Sequence, residues 1–528
     1  MMSDSQKVKR HLLRSAGVVS AMTFLSRILG MVRDIVNAHV FGISRVWDAF
    51  VFAFMIPNFL RRLLGEGALS GAFIPLYAEI FNTNGEKEAN AFTNIILSLL
   101  LVGLGTVLMI VNMVIALILA FTHLPQKVVI ILSLLQLFSP YILILCILAV
   151  AMGVLNCHKR FFVPSLMPII LNIGWIATLY FVCMRFGSNN VERIYMLGSG
   201  IFSVSIIQFV AQFFALYRTG FRFRFNLNLQ HPYMSKLITL MLPAILGFSV
   251  TQINILIDLF LAFLIGDGAN SALWYGNRVM QFPLGMFGIA MGTVLLPTIS
   301  HQAAQNNLPQ MKETLSFSLR SVLLIIMPST VGLVLLSTPI TSLLFESGLF
   351  DALATQKAAS TLMAYSFGLF AYSGVKLLLP SFYSLQDTRT PVKIGVICMF
   401  LNIVLNLILM IPLREMGIAL STSITNTLNF FILFMLLEKK IGTIGSIMKP
   451  VIKIILASIA MGIIVFYAHR YVNFEFFTWS KLNLLSELTV VITIAVVTYI
   501  LFCIVFRVHE LTKAITFIFK WVWGKVQE

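Results

Sequence analysis

The chain has 528 residues, of which 59% are hydrophobic and only 11% charged, with a formal net charge of +17 and a mean hydropathy of +0.94. So much apolar side chain excludes an ordinary soluble domain and indicates a polytopic helical membrane protein. The apolar runs are long, which excludes the short alternating strands of a β-barrel, and the positive excess sits mostly in short loops, where it reads as a topology signal rather than a nucleic-acid surface.

The polar, basic start from Met1 to Arg14 leads into a long apolar span with no small-residue cleavage site, so it is expected to remain as a first helix. Windows of roughly 20 apolar residues give about 14 spans. They fall near 15–41, 47–80, 91–121, 130–156, 164–184, 194–217, 235–265, 271–299, 315–338, 357–385, 392–412, 417–437, 450–469 and 484–506. The second is interrupted by Pro57, Gly65, Gly67, Gly71 and Pro75. With the N-terminus inside, the inner segments hold about 22 Lys and Arg against about 8 outside, a bias that places both termini in the cytoplasm. Cys146, Cys157, Cys183, Cys398 and Cys503 are scattered through apolar stretches without metal-ligand spacing and are expected to be small core residues.

A weak internal repeat is visible. Gly71-Ala72-Phe73-Ile74-Pro75 resembles Gly292-Thr293-Val294-Leu295-Leu296-Pro297, and a polar loop entering a Pro-led span with a later Leu-Asn occurs at Arg160 to Asn172 and at Arg389 to Asn402. The six-span offset implies a parallel repeat about an axis along the membrane normal, although Gly and Pro are also simply common in membrane helices. On that reading residues 1–225 and 226–440 are two six-helix lobes around a central cationic cavity, and 441–528 adds two further helices and an amphipathic tail. The segment Arg218 to Lys236 joins the lobes. Its run Phe221-Arg222-Phe223-Arg224-Phe225 suits an interface with anionic lipid, as does the tail from Leu511 to Val526.

The chemistry is expected to reside in arginines placed within apolar spans. Arg27, Arg33, Arg61, Arg62 and Arg278 each lie where a lipid-facing charge costs roughly 2.5–3.5 kcal/mol, so they are expected to face protein or an aqueous cavity. Arg27 and Arg33 differ by about 120° around the helix and about 9 Å along it. Arg33 lines the cavity or pairs with Asp34, and the sequence leaves both open. Glu66 lies one turn beyond Arg62, which leaves Arg61 as the better cargo ligand. Arg278 has only the uncharged Asn277 and Gln281 nearby. Several guanidiniums in one cavity suit a phosphate or pyrophosphate cargo through bidentate hydrogen bonds.

Asp34, Asp48, Glu66 and Asp258 are the candidate gating or coupling carboxylates. Asp258 with Asn402, Asn406 and Thr422 offers oxygens to a small hard cation, or the amides and hydroxyl bond between helices. No enzyme signature, ATPase loop, cofactor site or firm metal site is present, so energy is expected from Na+, H+ or the membrane potential.

These residues resemble the MurJ/MviN family of lipid II flippases, in the multidrug/oligosaccharidyl-lipid/polysaccharide exporter superfamily. The resemblance rests on Ser26-Arg27-x-x-Gly30-x-x-Arg33-Asp34, Asp48-Ala49-Phe50, Pro57-Asn58-x-x-Arg61-Arg62-x-x-x-Glu66-Gly67-Ala68, Leu242-Pro243-Ala244, Arg278 to Pro283 and Phe382-Tyr383-Ser384. It implies translocation of undecaprenyl-pyrophosphate-linked peptidoglycan precursor across the bacterial inner membrane by alternating access. It also implies that Arg27, Arg33, Arg61 and Arg278 contact the cargo and that spans 13 and 14 form a groove for its lipid tail. Some relatives carry acidic residues where this chain has Asn277 and Gln281. A monomer, in contact with membrane lipids and the cell-wall synthesis machinery, is expected. The rival reading is a cation-coupled exporter of drugs or of another polyprenyl-linked oligosaccharide.

Overall fold

A computed structural model describes residues 4–63, 69–445, 447–471 and 480–511. Among these residues there is helix and no strand, as lipid requires of a backbone that must satisfy its own hydrogen bonds. Contacts divide the chain into two compact units, Met1–Leu259 and Phe260–Glu528.

The first unit begins with α1 (Asp4–Phe41), α2 (Arg45–Leu60), α3 (Leu69–Thr83) and α4 (Glu86–Leu99). A π-helical stretch, Leu100–Leu104, joins α4 to α5 (Gly105–Phe121). Then come α6 (Gln126–Cys157), α7 (Phe162–Thr178), a second π stretch, the short α8 (Met184–Phe186) and α9 (Asn190–Tyr217). The helices start at their polar ends for local reasons. Ser44 Oγ accepts from Trp47 N at 3.2 Å to open α2, and Asn189 Oδ1 accepts from Glu192 N at 3.0 Å to open α9, each satisfying an amide the helix itself cannot. The core of this unit joins α3, α4, α6 and α9 through Phe73, Tyr77, Phe92, Val150, Val154 and Leu216. Where α7 meets α9 the contact is made by glycine: a Cβ on Gly174 would strike Val204, and one on Gly200 would strike Thr178, the small-residue approach usual between membrane helices.

The linker 218–231 and the first part of α10 (Pro232–Ile265) belong to this unit, because the division falls inside α10.

The second unit contains α11 (Ala269–Pro283), a π stretch directly after Pro283, α12 (Ala290–Ala304), α13 (Leu308–Leu335), α14 (Ser337–Phe345), α15 (Ala352–Phe367) and α16 (Leu369–Ser384). It ends with α17 (Arg389–Ile441), α18 (Met448–Tyr471) and α19 (Ser480–Val505). α17 covers two expected spans: Arg414, at φ 51° and ψ −131°, breaks its helical geometry, and Gly417 lets the chain pass so close to the Leu409 carbonyl that no side chain would fit. α15 and α16 meet at a 45° bend. α18 and α19 pack on α13 through Ile454, Ala457, Met461, Leu488, Val491 and Tyr499.

Among the described residues nine helices are long and apolar enough to cross a membrane, or ten if the bent α15–α16 pair is one span. The expectation of about 14 is therefore met in kind, while the count is not established. All five cysteines are free, four of them buried.

At the start of α17, Asp387 accepts from Thr390 N at 3.0 Å, Thr390 Oγ1 at 2.8 Å and Lys440 Nζ at 2.9 Å. The Lys440 ammonium and the Thr390 amide hold its carboxyl down at about 2. A depressed carboxyl contributes stability above its ordinary range, and that contribution is lost as pH falls from about 4 through its folded value. Thermal unfolding in detergent is therefore expected to lose a component between about pH 4 and pH 2 that Asp387→Asn no longer displays.

Candidate functional site

The expected site residues of the first unit gather around α1. Arg33 and Asp34 are both buried, at 8% and 0% exposure. Arg33 Nε and Nη2 donate to Asp34 Oδ1 at 3.1 and 2.9 Å, and Nη1 donates to Asn172 Oδ1 at 3.1 Å. The guanidinium lies 4.6 Å over the ring of Trp175. Asn172 then donates to Ser26 O at 3.0 Å, and Trp175 Nε1 donates to Asn37 Oδ1 at 3.0 Å. One face of α7 thus fastens α1 over about three turns, from Ser26 to Asn37.

A buried charge is tolerated only when paired and hydrogen-bonded, and this set of partners meets that condition. Of the two readings open for Arg33, the conformation described here has it paired with Asp34.

Arg27 sits on the same helix but is exposed. The turn of about 120° between positions 27 and 33 carries the two side chains to different sides, so the structure does not bring them together. Arg61 caps the end of α2, its amide donating to Asn58 O and Pro57 O. It is half-buried, whereas Arg62 is exposed. Glu66, with Gly65 and Gly67, lies outside the described residues, as does the amphipathic tail beyond Leu511.

At the other end of α2, Asp48 is fully buried and pairs with Lys127 Nζ of α6 at 3.2 Å. Beneath it runs an aromatic ladder: Phe41 on Trp47, Trp47 on Phe50 and Phe50 on Phe54, with centroids 5.3, 4.9 and 5.4 Å apart. Phe54 meets Trp175 edge-on at 5.2 Å. The ladder thus leads from Trp47, next to Asp48 in sequence, to Trp175, over whose ring the Arg33 guanidinium lies. Asp258, on α10, is buried at 8% exposure.

In the second unit Arg278 is half-buried on α11, and its neighbours Asn277 and Gln281 hydrogen-bond to each other. A Cβ on Gly276 would meet Thr361 Oγ1 and the Leu362 amide, so α11 is seated directly against α15 next to Arg278. Asn402 and Asn406 are buried in α17. Asn402 Nδ2 donates to Thr422 Oγ1 at 3.4 Å and Thr425 Oγ1 at 3.3 Å. Asn406 Nδ2 donates to Asn402 Oδ1 at 3.0 Å, and Asn406 Oδ1 accepts from Ser421 Oγ. The helix-to-helix reading of these side chains is thus realised here. Among the described residues no group of three His, Cys, Asp or Glu side chains is placed to hold a metal.

Sequence reasoning missed Lys127, Asn172 and Trp175 as site residues. Lys127 carried a signal, being a lysine at the mouth of an apolar span. The other two acquire meaning only through a helix 139 positions away from Arg33.

The family model for "Lipid II flippase MurJ" matches residues 37–511. A probable lipid II flippase from Vibrio cholerae is 36% identical over 444 residues, covering 81% of this chain and 83% of that one. The chain belongs to the MurJ family. A probable MurJ from Haemophilus influenzae is 34% identical over 486 residues, with 88% and 93% covered. A solved MurJ in an inward closed conformation superposes with a TM-score of 0.76 at 27% identity, covering 93% of this chain and 98% of that chain. An inward-facing multidrug transporter of the MATE family has the same fold at 12% identity and a TM-score of 0.65. The protein is accordingly a polytopic α-helical membrane protein of the MurJ type, and its arginines at 61 and 278 lie inside the matched region.

Proposed function

We propose that this chain carries lipid II, the undecaprenyl-pyrophosphate-linked peptidoglycan precursor, from the inner to the outer leaflet of a bacterial cytoplasmic membrane by alternating access. The observation that supports it best is the family match over residues 37–511 in a chain that keeps Arg61 and Arg278 half-buried in apolar helices and Arg27 exposed on α1. Guanidiniums bind phosphate oxygens in pairs of parallel hydrogen bonds, and a pyrophosphate offers enough oxygens for several. With the site open to the cytoplasm the arginines take the head group while the polyprenyl tail stays in lipid, against α18 and α19. Exposure to the other side then releases it, which requires weaker binding in that state.

Arg33 joins the binding set only if its bonds to Asp34 and Asn172 open, so Asp34 is the gating carboxylate for that arginine. Asp48, paired with Lys127, gates the opposite end of α2. Coupling to Na+, H+ or the membrane potential is assigned to Asp258 in the first unit and, separately, to Asn402, Asn406 and Thr422 in the second, whose oxygens suit a hard cation once their bonds to one another open; dissipating each gradient in turn while flipping is assayed identifies the source. The chain works as a monomer with both termini in the cytoplasm, beside the cell-wall synthesis machinery.

The test is depletion of the protein in its host, followed by an externally added enzyme that cleaves lipid-linked precursor in the outer leaflet. Precursor that accumulates and becomes protected is the expected result. Precursor that stays accessible overturns the proposal in favour of an exporter of drugs or of another polyprenyl-linked oligosaccharide.

A further inference from the structure

The linker between α9 and α10 is built onto α4 as a strap. Asn94 of α4 grips its backbone at two points, donating to Arg222 O at 3.1 Å and accepting from Arg224 N at 3.1 Å. Ser98, one turn along, accepts from Asn226 N at 2.9 Å. The chain then turns back, and His231 Nε2 meets Glu88 Oε1 at 3.1 Å. Phe221 is buried at 2%, in the core shared with α4. The strap therefore runs along α4 from Asn94 to Ser98 and returns past it to Glu88.

Where that lies relative to a bilayer follows from α5. Exposed apolar side chains run from Leu101 to Phe121, about 30 Å of helix, which matches the hydrocarbon thickness. The headgroup layer adds roughly 5–8 Å on each side. Ser98, three residues before Leu101, lies about 4–5 Å beyond the hydrocarbon, Asn94 about 10 Å and Glu88 about 20 Å. The turn of the strap is thus at headgroup depth, and its return is in water.

The side chains suit that depth. Phe223, Phe225, Leu227 and Leu229 are 41%, 62%, 42% and 60% exposed. Arg218, Arg222 and Arg224 flank them and are exposed too. Arg218 and Arg222 lie over Phe214 and Tyr217 at 4.4 and 3.5 Å, and Arg222 Nη1 also donates to Tyr217 O at 2.9 Å. Two neighbouring carboxylates have their own partners: Glu88 has His231, and Glu79 has Lys236 at 2.7 Å. Glu86 lies close to Gly220, so the three arginines outnumber the acid beside them.

We propose that residues 218–231 form a membrane-surface anchor, held at headgroup depth by Asn94 and Ser98, whose arginines bind anionic phospholipid headgroups while its apolar turn enters the acyl boundary. The proposal is independent of the cargo.

The test uses the full chain in nanodiscs of phosphatidylcholine alone and of an equal mixture with phosphatidylglycerol, with hydrogen exchange read at the amides of residues 225–229. At low salt, exchange at these amides is expected to slow about tenfold or more in the anionic discs, since each basic residue at such a surface contributes a several-fold preference. High salt should remove the effect by screening. So should replacing Arg218, Arg222 and Arg224 together by Gln, which leaves the backbone bonds to Asn94 intact; unchanged protection of α4 confirms that the variant is folded. Equal exchange in both discs, or equal slowing in the variant, overturns the proposal. So does inorganic phosphate reproducing the protection in neutral discs, because the arginines would then form a soluble-anion site.

Discussion

Alanine in place of Arg27, Arg61 or Arg278 is expected to abolish growth supported by this chain, with normal amounts of protein in the membrane. A hydrogen bond to a charged group contributes about 1.5–3 kcal/mol, or roughly 10- to 150-fold in binding, and the guanidinium–phosphate pair supplies two in parallel. None of the three residues is fully buried, so truncation leaves no deep cavity and folding should survive.

Lysine separates charge from geometry. It keeps the charge but lacks the planar fork, and is expected to restore only part of the flipping. The measurement is leaflet accessibility of the precursor in cells that depend on each variant. Three alanine variants with normal flipping, confirmed in the membrane, would falsify the assignment of these arginines to the cargo.

The sequence carried the fold well wherever apolar length was the cause. Each long run from 91–121 onward coincides with helix, and the loops between them carry their charge bias openly. Breaks set by packing were harder to read. The bend at Gly368 depends on Ser423 of α17, whose backbone a Cβ there would strike. The helical turn of α14, Ser337–Phe345, is too short to register as a span.

In the site, the arginines were legible because a charge within an apolar run is costly wherever it points, but their surroundings were not. The neighbouring Asp34 offered Arg33 a partner that Arg27 lacks, but the sequence left that pairing open, and nothing in it foretold Asn172 and Trp175, which complete the seat of Arg33. The Asn402, Asn406 and Thr422 oxygens were legible from their spacing, whereas Ser421 and Thr425, which complete that network, were lost among ordinary hydroxyl residues. The linker's alternation of aromatic and basic residues announced an interface, yet nothing in it foretold the grip of Asn94.

The second large effect is expected at Asp34. Asp34→Ala removes the carboxylate that accepts from two nitrogens of the buried Arg33, and breaking a buried ion pair from one side costs about 3–5 kcal/mol because the other charge remains. Asn172 and Trp175 still touch that guanidinium, which points to the lower end of the range. Even so, such a loss is a large share of a membrane protein's margin, and the variant is expected to unfold at a clearly lower temperature in detergent and to accumulate poorly.

Replacing the pair together, Arg33→Met with Asp34→Leu, removes both charges and fills a similar volume, so most of the stability should return. The double variant then separates the two roles of Arg33. If Arg33 serves only to fasten α1 to α7, the refolded double variant flips precursor at near the normal rate. If its pairing with Asp34 must open for Arg33 to reach the pyrophosphate, the double variant is stable and inactive, and that is the expected result. A stable double variant with full activity would leave Arg33 as a structural residue and confine the cargo-binding set to Arg27, Arg61 and Arg278.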